Sequence, residues 1–436
     1  MTTAPAPPPD RRSRRERRCD HPDHGVERDG LDPRGRSRRR LLVGAGAAGL
    51  ALGTGLGGVR VSFAAQPSGG TLVVVFLRGG MDGLSALVPA GDPHLAAARP
   101  DIAVPQSAAL PLDRTWGLHP ALSSLHELWR QGRFTAVPAV STPDISRSHF
   151  QAQDYLERGG SATGASSGWL NRALEAAGPG TPLQALTVGK STARSLVGAR
   201  ATTSLRALDA LTLRIGDDAR RERAVRALEA LHAGVDHPLA ADAAAALESL
   251  GAARLAAALA PEPGADYPDD DPGPQLRDVA RLVKADVGLR VACVDVGGWD
   301  THVGQGGVDG GTMADRLGAL DRALGAFVAD LGPAGDAVTV VVMTEFGRRV
   351  AQNANRGTDH GHGAAVLLVG GGLAGGRVHG AWHGLAPDVL DDGDVPGWND
   401  YRDLLAELVT TRLGVPAGAL GDVFPGHRPQ PLGVTA

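Results

Sequence analysis

Three short segments in the C-terminal half gather carboxylates and imidazoles: Gly297-Gly298-Trp299-Asp300-Thr301-His302, Thr344-Glu345-Phe346-Gly347-Arg348-Arg349 and Gly357-Thr358-Asp359-His360-Gly361-His362-Gly363. Asp, Glu and His supply the oxygen and nitrogen donors of zinc, manganese, magnesium or calcium sites, and glycine lets the backbone turn tightly around a small ion. Asp300 and His302 fall on one side of an extended segment, with Asp295 at the preceding strand end as a further candidate. A lone D-x-H pair is common by chance. Its weight here comes from His360 and His362, which lie in a turn too glycine-rich for a helix or an ordinary core strand. One or two divalent ions are therefore expected, with Asp300, His302, Glu345, His360 and His362 as ligands; two ions about 3.5–4 Å apart would clamp both the entering and the leaving oxygen of a displacement.

Other residues suit an anionic substrate. In Ser141-Thr142-Pro143-Asp144-Ile145-Ser146-Arg147-Ser148-His149-Phe150-Gln151, Ser148 opens a helix, and with Gln151 it has the spacing of a capping box. A hydroxyl there, beside Arg147, sits where backbone N–H groups and the helix dipole favour a phosphate or sulfate. Ser148 is the first candidate nucleophile, with Ser146 and Ser141 behind it. Arg348, three residues after Glu345, pairs an anion-binding guanidinium with a metal-binding acid. Asp82, in Arg78-Gly79-Gly80-Met81-Asp82, would either ligate metal or cap the next turn.

The elements that must position these residues are strands alternating with helices. Thr71–Leu77, Leu289–Val296, Ala337–Met343 and Ala364–Val369 are continuous apolar, β-branched runs, as expected of strands buried on both faces. Pro120–Gln131, His149–Arg158, Met313–Leu331 and Tyr401–Leu413 carry helical periodicity. The expected fold is α/β with a mostly parallel central sheet, whose ligands bind at the carboxyl ends of the strands. Ser204–Gly288, rich in Ala, Leu and Arg and broken by Pro238 and the Pro261–Pro274 loop, reads as a helical insertion.

The leader is a separate matter. Residues 1–64 hold 13 Arg and 7 acids, net +6, which leaves 31 basic and 41 acidic residues, net −10, in the rest. So acidic a remainder argues against nucleic acid as a partner. Arg38-Arg39-Arg40 precede an uncharged, Gly- and Ala-rich stretch, Leu41–Val59, followed by Ser62-Phe63-Ala64. This pattern matches a twin-arginine export signal cleaved after Ala64, with no stable membrane span afterwards and a periplasmic or extracellular product. Gly44-Ala45-Gly46-Ala47-Ala48-Gly49 fits a dinucleotide fingerprint, but no strand precedes it. Cys19 and Cys293 fall on opposite sides of the cleavage point, so the mature chain would have no internal disulfide.

The series L-R-G-G-M-D-G-L, G-L-H-P-A-L from Gly117, S-R-S-H-F-Q-A-Q-D from Ser146, G-W-L from Gly168, G-G-W-D-T-H, M-T-E-F-G-R, G-T-D-H-G-H-G and F-P-G from Phe424 resembles the bacterial twin-arginine-exported family called domain of unknown function 1501. That family resembles a branch of the alkaline phosphatase and sulfatase superfamily. The resemblance implies an alkaline-phosphatase-like α/β domain over residues 65–436, with the insertion at about 204–288. It also implies two divalent metals and a nucleophile at a helix start. Carried over, Asp82 and Glu345 would bind metal, Asp300 and His302 would share an ion with His360 or His362, and Ser148 would be the nucleophile. The usual Asp-His pair after the third strand is here Glu345-Phe346, which removes a nitrogen ligand. The expected function is hydrolysis of a small anionic phosphate or sulfate ester, Ser148 attacking while Arg147 or Arg348 holds the anion. The alternative is a non-catalytic secreted binding or assembly protein on the same scaffold.

Overall fold

A computed structural model describes residues 69–436 apart from 161–164, 212 and 214. The leader and its twin-arginine signal lie outside the described residues.

The β-branched runs form an eight-stranded sheet: β1 (Thr71–Leu77), β2 (Phe134–Ser141), β3 (Ala185–Val188), β4 (Thr203–Leu205), β5 (Val291–Val296), β6 (Val338–Met343), β7 (Ala364–Gly370) and β8 (Asn399–Asp400), in the order β8-β2-β7-β6-β1-β5-β3-β4. All strands run parallel except β7, which is antiparallel to both β6 and β2. The mostly parallel α/β architecture expected from the sequence is therefore present. The helices of eight or more residues are α1 (Ser123–Arg130), α2 (His149–Arg158), α3 (Trp169–Ala176), α4 (Asp218–His232), α5 (Pro238–Ala257), α6 (Gly273–Lys284), α7 (Thr312–Leu331) and α8 (Tyr401–Leu413).

Alternation along β1 shows why its run is apolar throughout. Val73, Val75 and Leu77 enter a core with Leu125 of α1, Val279 of α6 and Leu317, Leu324 and Phe327 of α7. Leu72, Val74 and Phe76 enter a second core with Leu156 of α2, Trp169 of α3 and Leu404 and Leu408 of α8. Both faces of the sheet are thus covered by helices, and a polar residue in mid-strand would lose its water on either side.

The stretch expected as a helical insertion is mixed. Its first residues form β4 on the sheet edge, and Leu276, Val279, Ala280 and Leu282 of α6 are buried in the first core. No residue of α4 is buried. Helical periodicity was legible over the whole stretch, but periodicity does not tell a helix packed on the sheet from one that stands on the surface.

Topology brings the chemistry-bearing segments to one edge. The segments after β1, β2, β5 and β6 leave from carboxyl ends, and the register Phe76↔Asp295 and Phe76↔Met343 levels three of them. Because β7 is antiparallel, with Leu367 opposite Val342, the residues that precede it return to the same edge. There Arg348–Gln352 and Thr358–His360 form a two-stranded antiparallel ribbon with Arg348 opposite His360.

The core makes a direct prediction. Phe327 is fully buried between α7 and the sheet, so Phe327→Ala is expected to lower the unfolding free energy by about 3–5 kcal/mol in chemical denaturation.

Candidate metal centre

Arg348 lies at the centre of the strand-end loops, its side chain fully buried. Its guanidinium donates to the carbonyls of Gly80 (2.5 Å), Gly79 (2.5 Å), Thr358 (2.9 Å) and Trp299 (3.2 Å), and to Asp300 Oδ1 (2.7 Å). The loops after β1 and β5 and the ribbon strand before β7 are thereby held to one group. Close backbone approach completes the arrangement. A Cβ on Gly357 would stand 2.3 Å from the His302 carbonyl, and one on Gly79 would stand 2.6 Å from the Asp300 amide.

Asp300 is the point on which three histidines converge. His302 Nε2 lies 3.0 Å and His360 Nε2 3.3 Å from its Oδ1, and His149 Nε2 lies 3.5 Å from its Oδ2. The two rings His302 and His360 bring their Nε2 atoms within 3.0 Å of each other. One ligand atom from each of His149, Asp300 and His360 lies within 4.8 Å of the others.

The far side of each ring decides what the near side presents. His149 Nδ1 faces Glu345 Oε1 at 2.8 Å, His302 Nδ1 faces Asp359 Oδ1 at 3.1 Å and His360 Nδ1 faces the Arg147 carbonyl at 2.9 Å. A carbonyl or an ionised carboxylate only accepts, so each Nδ1 donates, and rings that carry this one proton alone turn their Nε2 lone pairs toward Asp300. The result is a cluster of acceptors around a carboxylate. His149 Nε2 is shielded from solvent and makes no hydrogen bond. A cation reconciles such a set. The edge of a tetrahedron with corners 2.0–2.1 Å from its centre is about 3.3 Å, close to the distances from the Asp300 oxygens to the three Nε2 atoms, while the set His149, Asp300 and His360 as a whole is looser, within 4.8 Å. The residues fit a divalent ion, and the groups behind the rings are the kind that fix the tautomer and orientation of metal-binding imidazoles.

Electrostatics follow the same geometry. Burial opposes ionisation of Asp300, but the bond and charge of Arg348, then His360 and His302, hold its pKa below the ordinary carboxylate value. Glu345 is buried, yet the bonds from His149 and Gln153 (2.8 Å) keep it low, and the Gly79 amide adds another (2.9 Å). The bond to Glu345 in turn raises the His149 pKa. Burial lowers that of His360.

Other residues expected in the site lie elsewhere or act differently. Asp82 does not reach the cluster: it is fully buried in an ion pair with Arg99 (2.6 and 3.0 Å) and accepts from Ser85 and Gln305 (both 2.6 Å). Glu345 stands behind His149, with Oε1 taken up by His149, Gln153 and the Gly79 amide. His362 turns away to the Thr142 carbonyl at 3.0 Å, and Asp295 pairs with Arg78 at 2.9 Å. Both candidate arginines are already ion-paired. Arg348 is engaged as above, and Arg147 binds Asp394 at 2.5 Å while its carbonyl holds His360. Arg147 does so at φ 55°, a conformation uncommon for a residue with a side chain and frequent at functional sites. Ser148 is the residue before α2, but its side chain makes no cap bond, so the expected capping box does not form.

His149 was missed in favour of its neighbour. A signal was present: a protonated imidazole at the first helical position opposes the helix dipole, so a histidine there is better suited as a neutral ligand. Gln153, four residues on, shares its face and reaches the same Glu345.

Residues 135–413 match the model of a family described as a protein of unknown function, DUF1501. The chain belongs to that family. Among solved structures, this DUF1501 protein aligns with a putative sulfatase from Bacteroides thetaiotaomicron VPI-5482 at 12% identity and a TM-score of 0.31, covering 84% of this chain and 76% of that one. It also aligns with a 2-O GAG sulfatase at 12% identity and a TM-score of 0.25, covering 70% of this chain and 65% of that one. No curated protein matches the sequence.

Replacing Glu345 separates two effects. Calorimetric titration of metal-free Glu345→Gln with zinc is expected to show affinity about 10–100-fold weaker at pH 8, because the anion behind His149 is gone. A proton competes with metal for His149 Nε2, and Glu345 raises that pKa. Wild-type zinc is therefore lost as pH falls through the raised value, whereas this competition in the variant sets in at lower pH.

Proposed function

We propose that this protein is an exported, metal-dependent hydrolase of phosphate or sulfate esters, with a divalent ion held by His149, Asp300, His302 and His360 and with Ser148 as nucleophile. The observation that carries the reading is the buried, unbonded His149 Nε2 among acceptors that converge on Asp300. Three imidazoles and one carboxylate suit zinc or another transition metal better than magnesium or calcium, which take oxygen donors. A single ion is favoured, because the Arg99 guanidinium already neutralises Asp82.

When bound, the ion supplies Lewis acidity that polarises an ester oxygen. Ser148 is half-buried beside His149 at the start of the ten-residue helix α2, where the N-terminal dipole favours developing negative charge. In the proposed reaction the Ser148 oxygen takes the phosphoryl or sulfuryl group and the alcohol leaves with a proton. Water then releases the acid and restores the serine. Arg348 serves by fixing Asp300, and the Arg147 carbonyl by fixing His360. Residues 65–436 form one α/β domain in this reading, and the leader directs it through the twin-arginine machinery. No helix among the described residues is long and apolar enough to cross a membrane.

Two measurements test this. Elemental analysis is expected to give one divalent ion per chain in the wild type and in an Asp82→Asn/Arg99→Met double variant, and none in His360→Ala; two ions would refute the single site. With aryl phosphate and aryl sulfate substrates, turnover should be lost with EDTA and regained with zinc. Ser148→Ala should abolish turnover and keep the metal, and unchanged turnover in it would remove Ser148 from the mechanism.

A further inference from the structure

The charge around the centre is already balanced. With a divalent ion in place, its two positive charges and that of Arg348 meet the carboxylates of Asp300, Glu345 and Asp359. The arginines at the surrounding loops carry their own acids: Arg147 binds Asp394, Arg78 binds Glu157 and Asp295, and Arg349 binds Asp392 and Asp394. A doubly charged anion brought here would meet the ion and guanidinium groups that are already paired with acids; the exposed Arg316, over Gly298, lies outside that paired set.

Exposed apolar side chains also lie close in sequence to residues of the centre. Among the described residues the most exposed large hydrophobic side chains are Phe150 (87%), Ile145 (76%) and Val303 (69%). Phe150 follows His149, Val303 follows His302, and Ile145 lies two residues before Arg147, whose carbonyl holds His360. Two chain segments, the one that enters α2 and the one after β5, thus place exposed apolar side chains next in sequence to residues that form or hold the centre. Scattered exposed hydrophobics need no explanation, but a set that flanks one site marks a surface meant to be covered.

We propose that the centre selects esters whose acid part carries a single negative charge and whose alcohol part is apolar, a sulfate monoester or a phosphodiester, over the doubly charged phosphate monoester. The inference rests on the metal-centre reading above. Ile145, Phe150 and Val303 cover the apolar alcohol, and the balanced charge disfavours the second negative charge of a phosphate monoester.

The test is calorimetric binding to the zinc-loaded protein of 4-nitrophenyl sulfate, bis(4-nitrophenyl) phosphate, 4-nitrophenyl phosphate and methyl sulfate, at a pH where the phosphate monoester is dianionic. The two aryl monoanions are expected to bind at least about tenfold more tightly than the aryl dianion. The aryl sulfate should also exceed methyl sulfate by about tenfold or more. A triple variant Ile145→Ser/Phe150→Ser/Val303→Ser should keep its zinc and its charge preference and lose the aryl advantage. Tighter binding of the dianion, through the exposed Arg316 that packs near Gly298 or by any other route, would overturn the proposal. So would an aryl advantage that survives in the triple variant, or binding to phosphatidylglycerol vesicles that the triple variant loses while aryl and methyl sulfate bind the wild type alike; that last result would make the rim a membrane-docking surface. Failure to take up zinc at all would instead remove the metal-centre reading and this inference with it.

Discussion

A buried guanidinium must find acceptors for its donors, and Arg348 finds them in four backbone carbonyls and one carboxylate drawn from three segments far apart in the chain. An uncompensated buried charge is costly, so the loops after β1 and β5 and the ribbon at Thr358 are fixed as a set by the requirement to satisfy it. Asp300 is consequently oriented from behind by a positive charge, which keeps it ionised and directs its remaining acceptor capacity toward the histidines. Without Arg348 the strand ends would still meet at one edge of the sheet, because topology brings them there, but no group would set their spacing.

The centre is built on the same logic, one layer out. Each histidine is locked by a different partner: Glu345 from the end of β6, Asp359 within the ribbon, and the carbonyl of Arg147 in the loop after β2. These partners are held in turn, Glu345 by Gln153 and the Gly79 amide, and Asp359 by Asn353. Rings fixed in this way would lose little conformational entropy on taking up an ion, so it is preorganisation rather than donor count that suits the cluster to one.

Much of the scaffold was legible because the physics that makes a strand or a helix is local. Continuous β-branched runs marked β1, β5, β6 and β7 to within about two residues, and periodicity marked α2 and α8 at their observed bounds. The gathering of Asp300, His302 and His360 was also foreseeable, since their motifs leave strand ends that an α/β sheet places together. Pairing was not foreseeable. Whether Asp82 meets a metal or Arg99, and whether Arg147 faces an anion or Asp394, depends on contacts between residues 17 and 247 positions apart, respectively, and leaves no trace in the local sequence. Ser148 and His149 show the limit most closely, for they are neighbours in the chain and only the helix geometry decides which one carries its side chain to Glu345.

Asp82–Arg99 and Asp300–Arg348 are both acid–arginine contacts near strand ends, the first buried on both sides and the second buried only at its arginine, and they have opposite consequences. In the first, the guanidinium takes both carboxylate oxygens, Ser85 and Gln305 add two bonds to Oδ2, and the buried arginine neutralises the acid. In the second, Arg348 bonds Oδ1 alone and Asp300 keeps a half-exposed face, with Oδ2 turned to His149 Nε2. A carboxylate whose oxygens are engaged and buried holds the scaffold, whereas one with an open oxygen beside imidazole nitrogens keeps the capacity to bind a cation. That difference in hydrogen-bond count, more than the identity of the residues, is what separates the scaffold of this strand-end cluster from its chemistry.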